Sequence, residues 1–134
     1  MKSLDRSLPA LVVDDSLIMC KVMVRLLNQI GFAHCDSAIE GVDAILKLKS
    51  KRYGLLMTDL NMNPISGVDL IRSVRADKEI APIPTILTSA NYHGLTKAIA
   101  DSDRDLADVY VLKPFTAETL HEKLIAAFGE DGLR

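Results

Sequence analysis

Several features are scarce in this chain, and each scarcity removes a class of function. Cysteine occurs twice, at Cys20 and Cys35, with no Cys-x-x-Cys pair and no zinc-ligand spacing, which sets aside a disulfide scaffold and a zinc site. Free cysteine packs as a small hydrophobe, so two buried, reduced thiols and a cytoplasmic location are expected. No apolar run approaches the roughly 20 residues that cross a bilayer. The opening stretch Met1-Lys2-Ser3-Leu4-Asp5-Arg6 carries no secretory hydrophobic segment, so membrane insertion is not expected. Surplus positive charge is missing too: 16 Lys and Arg stand against 18 Asp and Glu, for a formal net charge of -2. With no basic stripe along any expected helix, nucleic acid is not an expected partner. Repeats, heptads and low-complexity tracts are also absent, which excludes solenoids and coiled coils. The three histidines, His34, His93 and His121, are dispersed without ligand spacing and read as ordinary surface or strand residues.

What is present is a chain of 134 residues, 49% hydrophobic and 25% charged, enough for one globular core and too short for two ordinary domains. A single domain over residues 1–134 is expected, with its core at about 8–128 and short tails at both ends. Ala10-Leu11-Val12-Val13 has no polar alternation and reads as a strand covered on both faces. Ser16 can cap a helix carrying Leu17, Val24 and Leu27, which Gly31 stops. Phe32–Cys35 reads as a second strand, and Ala38–Leu48 as a helix with Ile39, Val42, Ile45 and Leu46 on its buried face. Further strands are expected at Tyr53–Thr58, Ile83–Thr88 and Val109–Leu112. Helices are expected at Val68–Arg75, around Leu95, Ala98 and Ile99, and from the Thr116 cap to Phe128. Five strands alternating with five helices argue for right-handed crossovers and a parallel α/β sheet with helices on both faces.

Chemistry clusters where the apolar runs stop. Asp14 and Asp15 follow the first strand, Asp59 the third and Lys113 the fifth. Parallel strands finish on one side of the sheet, where such folds bind ligands. Carboxylates crowded there repel, at roughly 4 kcal/mol per pair near 4 Å in a surface-like dielectric. A hard divalent cation relieves that repulsion. Magnesium suits the set, because it takes one or two carboxylates and keeps positions for water and phosphate oxygens.

The motifs Val12-Val13-Asp14-Asp15-Ser16, Met57-Thr58-Asp59-Leu60-Asn61-Met62, Gly67, Thr88-Ser89-Ala90 and Val111-Leu112-Lys113-Pro114-Phe115, in this order, resemble the response-regulator receiver domain of two-component signalling, in particular its single-domain chemotaxis type. The resemblance implies a flavodoxin-like, doubly wound five-stranded parallel sheet of order 2-1-3-4-5. It also implies that Asp59 accepts a phosphoryl group from a sensor histidine kinase or a histidine phosphotransfer protein. Such a domain is not an ordinary enzyme but catalyses its own phosphorylation and dephosphorylation. By the same resemblance Asp14, Asp15, Asp59 and the backbone carbonyl of Asn61 hold Mg²⁺. Lys113 pairs with Asp59, the Ser89 hydroxyl and Ala90 amide meet the phosphoryl group, and Lys113–Pro114 is a cis peptide. Ser89 and Tyr110 would form the switch, read by a protein target on the face of the fourth helix, fifth strand and fifth helix. With no room for an output domain after Phe128, the signal is expected to pass through another protein.

Two departures from the family pattern stand out. Proline is displaced by one residue in Met62-Asn63-Pro64, and the Asn91–Asp108 region is longer and acidic, which predicts a partner preference unlike that of the chemotaxis motor. Three alternatives compete with the phosphoacceptor reading. A constitutive interaction module typically loses a key residue, and none is lost here. A haloacid-dehalogenase-like phosphatase needs a DxD pattern that Asp14-Asp15-Ser16 does not supply. A flavin site needs a phosphate-cradling loop where the two aspartates would repel phosphate.

Overall fold

The computed structural model describes residues 2–101 and 106–133. Its elements run β1 (Ala10–Val13), α1 (Leu17–Gln29), β2 (Cys35–Ala38), α2 (Gly41–Ser50), β3 (Leu55–Asp59), α3 (Gly67–Ala76), β4 (Thr85–Ser89), α4 (Tyr92–Asp101), β5 (Val109–Leu112) and α5 (Ala117–Phe128). The strands form one sheet in the order β2-β1-β3-β4-β5, and every pair is parallel. This is the flavodoxin-like topology that the motifs imply.

Alternation along each strand divides the core into two layers. Ala10 and Val12 of β1, with Leu55, Met57, Ile86, Val109 and Val111, face Cys20, Met23 and Leu27 of α1 and Leu120, Leu124 and Phe128 of α5. Leu11 and Val13, with Leu56 and Leu87, face Ala44 and Leu48 of α2, Leu70, Ile71 and Val74 of α3, and Leu95 of α4. Side chains on both strand faces are thus covered, which is why the runs are apolar throughout. Polar side chains then set the helix starts. Ser16 accepts from the Met19 N–H, Thr116 accepts from the Thr119 N–H, and Ser66 forms a capping box with Asp69.

Several expectations need correction. The second strand is Cys35–Ala38 rather than Phe32–Cys35: Phe32 is fully buried, and its N–H bonds the Leu27 carbonyl to close α1. Gly31, at φ +109°, makes that exit turn possible. Ile39, which precedes α2, and Val42 and Leu46 on it face solvent, while Gly41, Ala44 and Leu48 are buried and Ile45 packs partly against the core. The small residues allow the close approach, since a Cβ on Gly41 would overlap the Ile65 side chain. On α4, Leu95 is buried and Ala98 packs beside it, but Ile99 is 46% exposed. Finally, Cys20 is buried but Cys35 only half-buried. Most of the acidic run that follows α4, Ser102–Asp105, lies outside the described residues.

The packed region also extends past the expected 8–128 span. Leu4 has no exposed surface, its N–H donates to the Gly132 carbonyl over 2.7 Å, and Leu133 packs against the same layer.

Candidate functional site

Strand register brings the chemistry to one edge. Val13 lies beside Thr58, Asp59 beside Thr88 and Ser89 beside Leu112. The residues just past β1 and β5 therefore stand level with the last residues of β3 and β4. Hydrogen bonding continues beyond the strands: the Leu60 N–H reaches the Thr88 carbonyl at 2.7 Å, and the Lys113 N–H reaches the Ser89 carbonyl at 2.8 Å.

Carboxylate oxygens of Asp14, Asp15 and Asp59 lie within 4.8 Å of one another. Lys113 Nζ sits between two of these residues, 2.9 Å from Asp14 Oδ2 and 3.0 Å from Asp59 Oδ1. The lysine is thus shared, whereas the sequence reading paired it with Asp59 alone. Asp14 is further fixed because its Oδ1 accepts from the Ser16 N–H at 2.9 Å, tying the acid to the start of α1. Asp14 and Asp59 are buried, and Asp15 faces solvent at the pocket mouth.

Burial pushes the Asp59 carboxyl above its usual range. Lys113 opposes this by hydrogen bond and charge, while Asp14 and Asp15 add to it, and the balance stays upward. For Lys113, burial disfavours the ammonium, but the hydrogen bonds and charges of Asp14 and Asp59 outweigh it and raise the pKa. Both directions describe a partly desolvated pocket with more negative than positive charge. Three carboxylates against one ammonium leave a formal charge of about -2, which a divalent cation neutralises. The hard oxygen donors also suit magnesium.

A glycine completes the construction. Gly67 opens α3 directly behind the phosphoacceptor candidate, where a Cβ would overlap the Asp59 carbonyl oxygen and approach Leu87 Cδ1 to 2.8 Å. Lys113–Pro114 is a cis peptide, and a second one, Asn63–Pro64, lies in the loop with the displaced proline. Ser89 is fully buried at the end of β4. Tyr110 on β5 is half-buried against the α2–α4 layer.

One contact was not visible in the sequence. Asn61 Nδ2 donates to Ser89 Oγ over 3.2 Å. Asn61 lies in the loop after β3 and Ser89 ends β4, so the contact joins positions 28 residues apart and follows from the pairing of the two strands. Two clefts of about 490 and 500 Å³ open at the opposite edge of the sheet around Lys2 and Pro82.

An open parallel sheet with a carboxylate trio and a lysine at its C-terminal edge defines the class: a doubly wound α/β domain with an acidic ligand pocket. Within that class the chain matches the response regulator receiver domain over residues 10–125, and it belongs to that family. It is 33% identical over 125 residues to the chemotaxis protein CheY-3 of Vibrio cholerae, covering 93% of this chain and 95% of the relative. It is 35% identical over 118 residues to the chemotaxis protein CheY of Pseudomonas aeruginosa, covering 88% and 94%. Among solved structures it resembles the response regulator TrrA of Thermotoga maritima in complex with Mg²⁺-BeF, at 30% identity and TM-score 0.75, covering 95% of this chain and 99% of that one. Phosphorylation-dependent signalling is the general role of the family, whose members bind Mg²⁺ at an acidic pocket and, in the CheY type, interact with histidine kinases or phosphotransfer proteins. No helix among the described residues is long and apolar enough to cross a membrane.

Proposed function

We propose that this chain is a phosphoryl-accepting response regulator whose acceptor is Asp59, loaded in a Mg²⁺-dependent reaction from a histidine kinase or histidine phosphotransfer protein. The shared lysine carries the reading: Lys113 holds Asp14 and Asp59 together and supplies a cation where phosphoryl oxygens would arrive.

In the forward step an Asp59 oxygen attacks the phosphorus of a phosphoimidazole. The new O–P bond forms as the P–N bond breaks, the electron pair stays on the ring nitrogen of a phosphoimidazole protonated at its other nitrogen, and neutral imidazole leaves an acyl phosphate behind. Charge lies on the equatorial oxygens during transfer, so the protein contributes positioning and electrostatic stabilisation. Lys113 supplies the fixed positive charge, and the Ser89 hydroxyl and Ala90 amide supply hydrogen bonds. Asp14, Asp15, Asp59 and the Asn61 carbonyl would hold Mg²⁺, which when bound offsets negative charge on the carboxylates and phosphoryl oxygens. Ser89 and Tyr110 then bias the α4–β5–α5 face toward a state bound by a protein target. Phosphorylation can shift that equilibrium only by its differential contacts with the two states.

Incubation with acetyl phosphate and Mg²⁺ tests this directly. Intact mass should show a single added phosphoryl group on the parent and none on Asp59→Asn or in excess EDTA. An adduct retained by Asp59→Asn would reject the assignment. The Asn91–Asp108 departure motivates a partner preference distinct from the chemotaxis motor's. It is tested by replacing the segment with a shorter neutral one and measuring partner choice.

A further inference from the structure

Ser89 Oγ receives two hydrogen bonds, from the Asn61 side-chain amide at 3.2 Å and from the Asn91 backbone N–H at 3.0 Å. A hydroxyl oxygen offers two lone pairs and one hydrogen. Both acceptor positions are therefore filled, and the hydrogen is the only valence Ser89 can still offer. Its acceptor here is the Asn91 carbonyl at 3.4 Å, well beyond the roughly 2.7–2.8 Å usual for an O–H···O bond. Ser89 is fully buried, so bulk water competes little for that hydrogen. The hydroxyl is arranged as a donor whose present acceptor is poor.

We propose that Asn61 is a positioning residue: its amide, with the Asn91 N–H, fixes the Ser89 hydroxyl as a dedicated donor to a tetrahedral oxyanion bound at Asp59. This rests on the phosphoacceptor reading and adds a role for the Asn61 side chain, separate from its backbone carbonyl. A hydrogen bond accepted by an oxygen polarises the one that oxygen donates, so the amide strengthens a contact it does not itself make. Asn61 is exposed in the loop after β3, and truncating it opens no core cavity.

A double-mutant cycle with beryllofluoride at saturating Mg²⁺ tests the coupling, read by titration calorimetry on the parent, Asn61→Ala, Ser89→Ala and the double variant. Asn61→Ala should weaken beryllofluoride binding by about 3- to 10-fold, the range expected for one hydrogen bond. In the Ser89→Ala background the same change should have no effect, because the group through which Asn61 acts is gone. A loss that persists undiminished in that background would show that Asn61 acts on the loop or the metal, and would overturn the proposal. If the parent itself binds no beryllofluoride with Mg²⁺, the phosphoacceptor reading fails first and this inference with it. The two failures are therefore distinguishable.

Discussion

At the residue scale, the proposed acceptor role asks Asp59 to combine two conflicting properties: enough exclusion from water to favour transfer, and enough charge to attack phosphorus. The conflict shows in its raised pKa, caused first by burial and then by Asp14 and Asp15 against the opposing pull of Lys113. A folded-state pKa above the unfolded value means that the native protein holds the Asp59 proton to higher pH than the unfolded chain. The associated stability is present below about pH 3.8, the unfolded value, and is lost as pH rises through the folded one. At neutral pH the ionised carboxylate therefore destabilises the metal-free fold. Metal-free Asp59→Asn should melt a few degrees above the parent at pH 7, about the shift that 1 kcal/mol gives a small domain. The gap should narrow towards pH 3. Added Mg²⁺ should raise the parent more than the variant at pH 7, because the variant lacks one of the three carboxylates proposed to hold the ion. An equal gap at both pH values in thermal melts would show that the charge on Asp59 is not its cause.

At the scale of elements, α3 is tied to the pocket through its first residue. Its first residue, Gly67, donates its N–H to the Leu60 carbonyl at 2.8 Å and packs where a side chain would strike the Asp59 backbone. Its Ser66–Asp69 capping box lies on the exposed side. Substitution should separate these roles. Gly67→Ala should cost about 1–3 kcal/mol by overpacking and also slow acetyl phosphate labelling. Ser66→Ala should cost about 1 kcal/mol through the lost cap and leave labelling unchanged. Urea unfolding and intact mass check both, and unchanged labelling in folded Gly67→Ala would detach the helix start from the chemistry. The strand ends were legible in the sequence because each apolar run stops at a reactive side chain. Two local details were not. At Phe32 apolar character serves a helix exit instead of a strand, and on α2 small residues outrank larger ones for the buried face because the sheet and Ile65 leave so little room. Nor does local pattern reveal contacts such as Lys113 with Asp14, which are 99 residues apart.

At the scale of the molecule, the segments around Leu4 and Leu133 meet on the side of the sheet remote from the carboxylates. Leu4 pairs with Leu133 in a parallel bridge and fills the layer between α1 and α5. Lys2 Nζ lies 3.2 Å from Asp108 Oδ1 just before β5. Asp108 Oδ2 accepts from Arg75 Nη2 at 3.2 Å and from the Thr85 N–H at 2.9 Å. The N-terminal segment is thus joined to α3, β4 and β5 through one carboxylate. Leu4 was unreadable as core from sequence, since a lone leucine between Ser3 and Asp5 shows no periodicity. Its burial predicts that Leu4→Ala costs about 2–4 kcal/mol, the range for a filled site that collapses incompletely. Leu46→Ala on α2, where the leucine is 65% exposed, should stay within about 0.5 kcal/mol. Urea midpoints with unchanged slopes measure the difference, and equal midpoints would show that the N-terminal segment is not part of the folded core. Under conditions where Leu4→Ala remains folded, labelling of Asp59 should match the parent, because the substitution weakens the edge of the sheet opposite the pocket and leaves the geometry of Asp14, Asp59 and Lys113 intact.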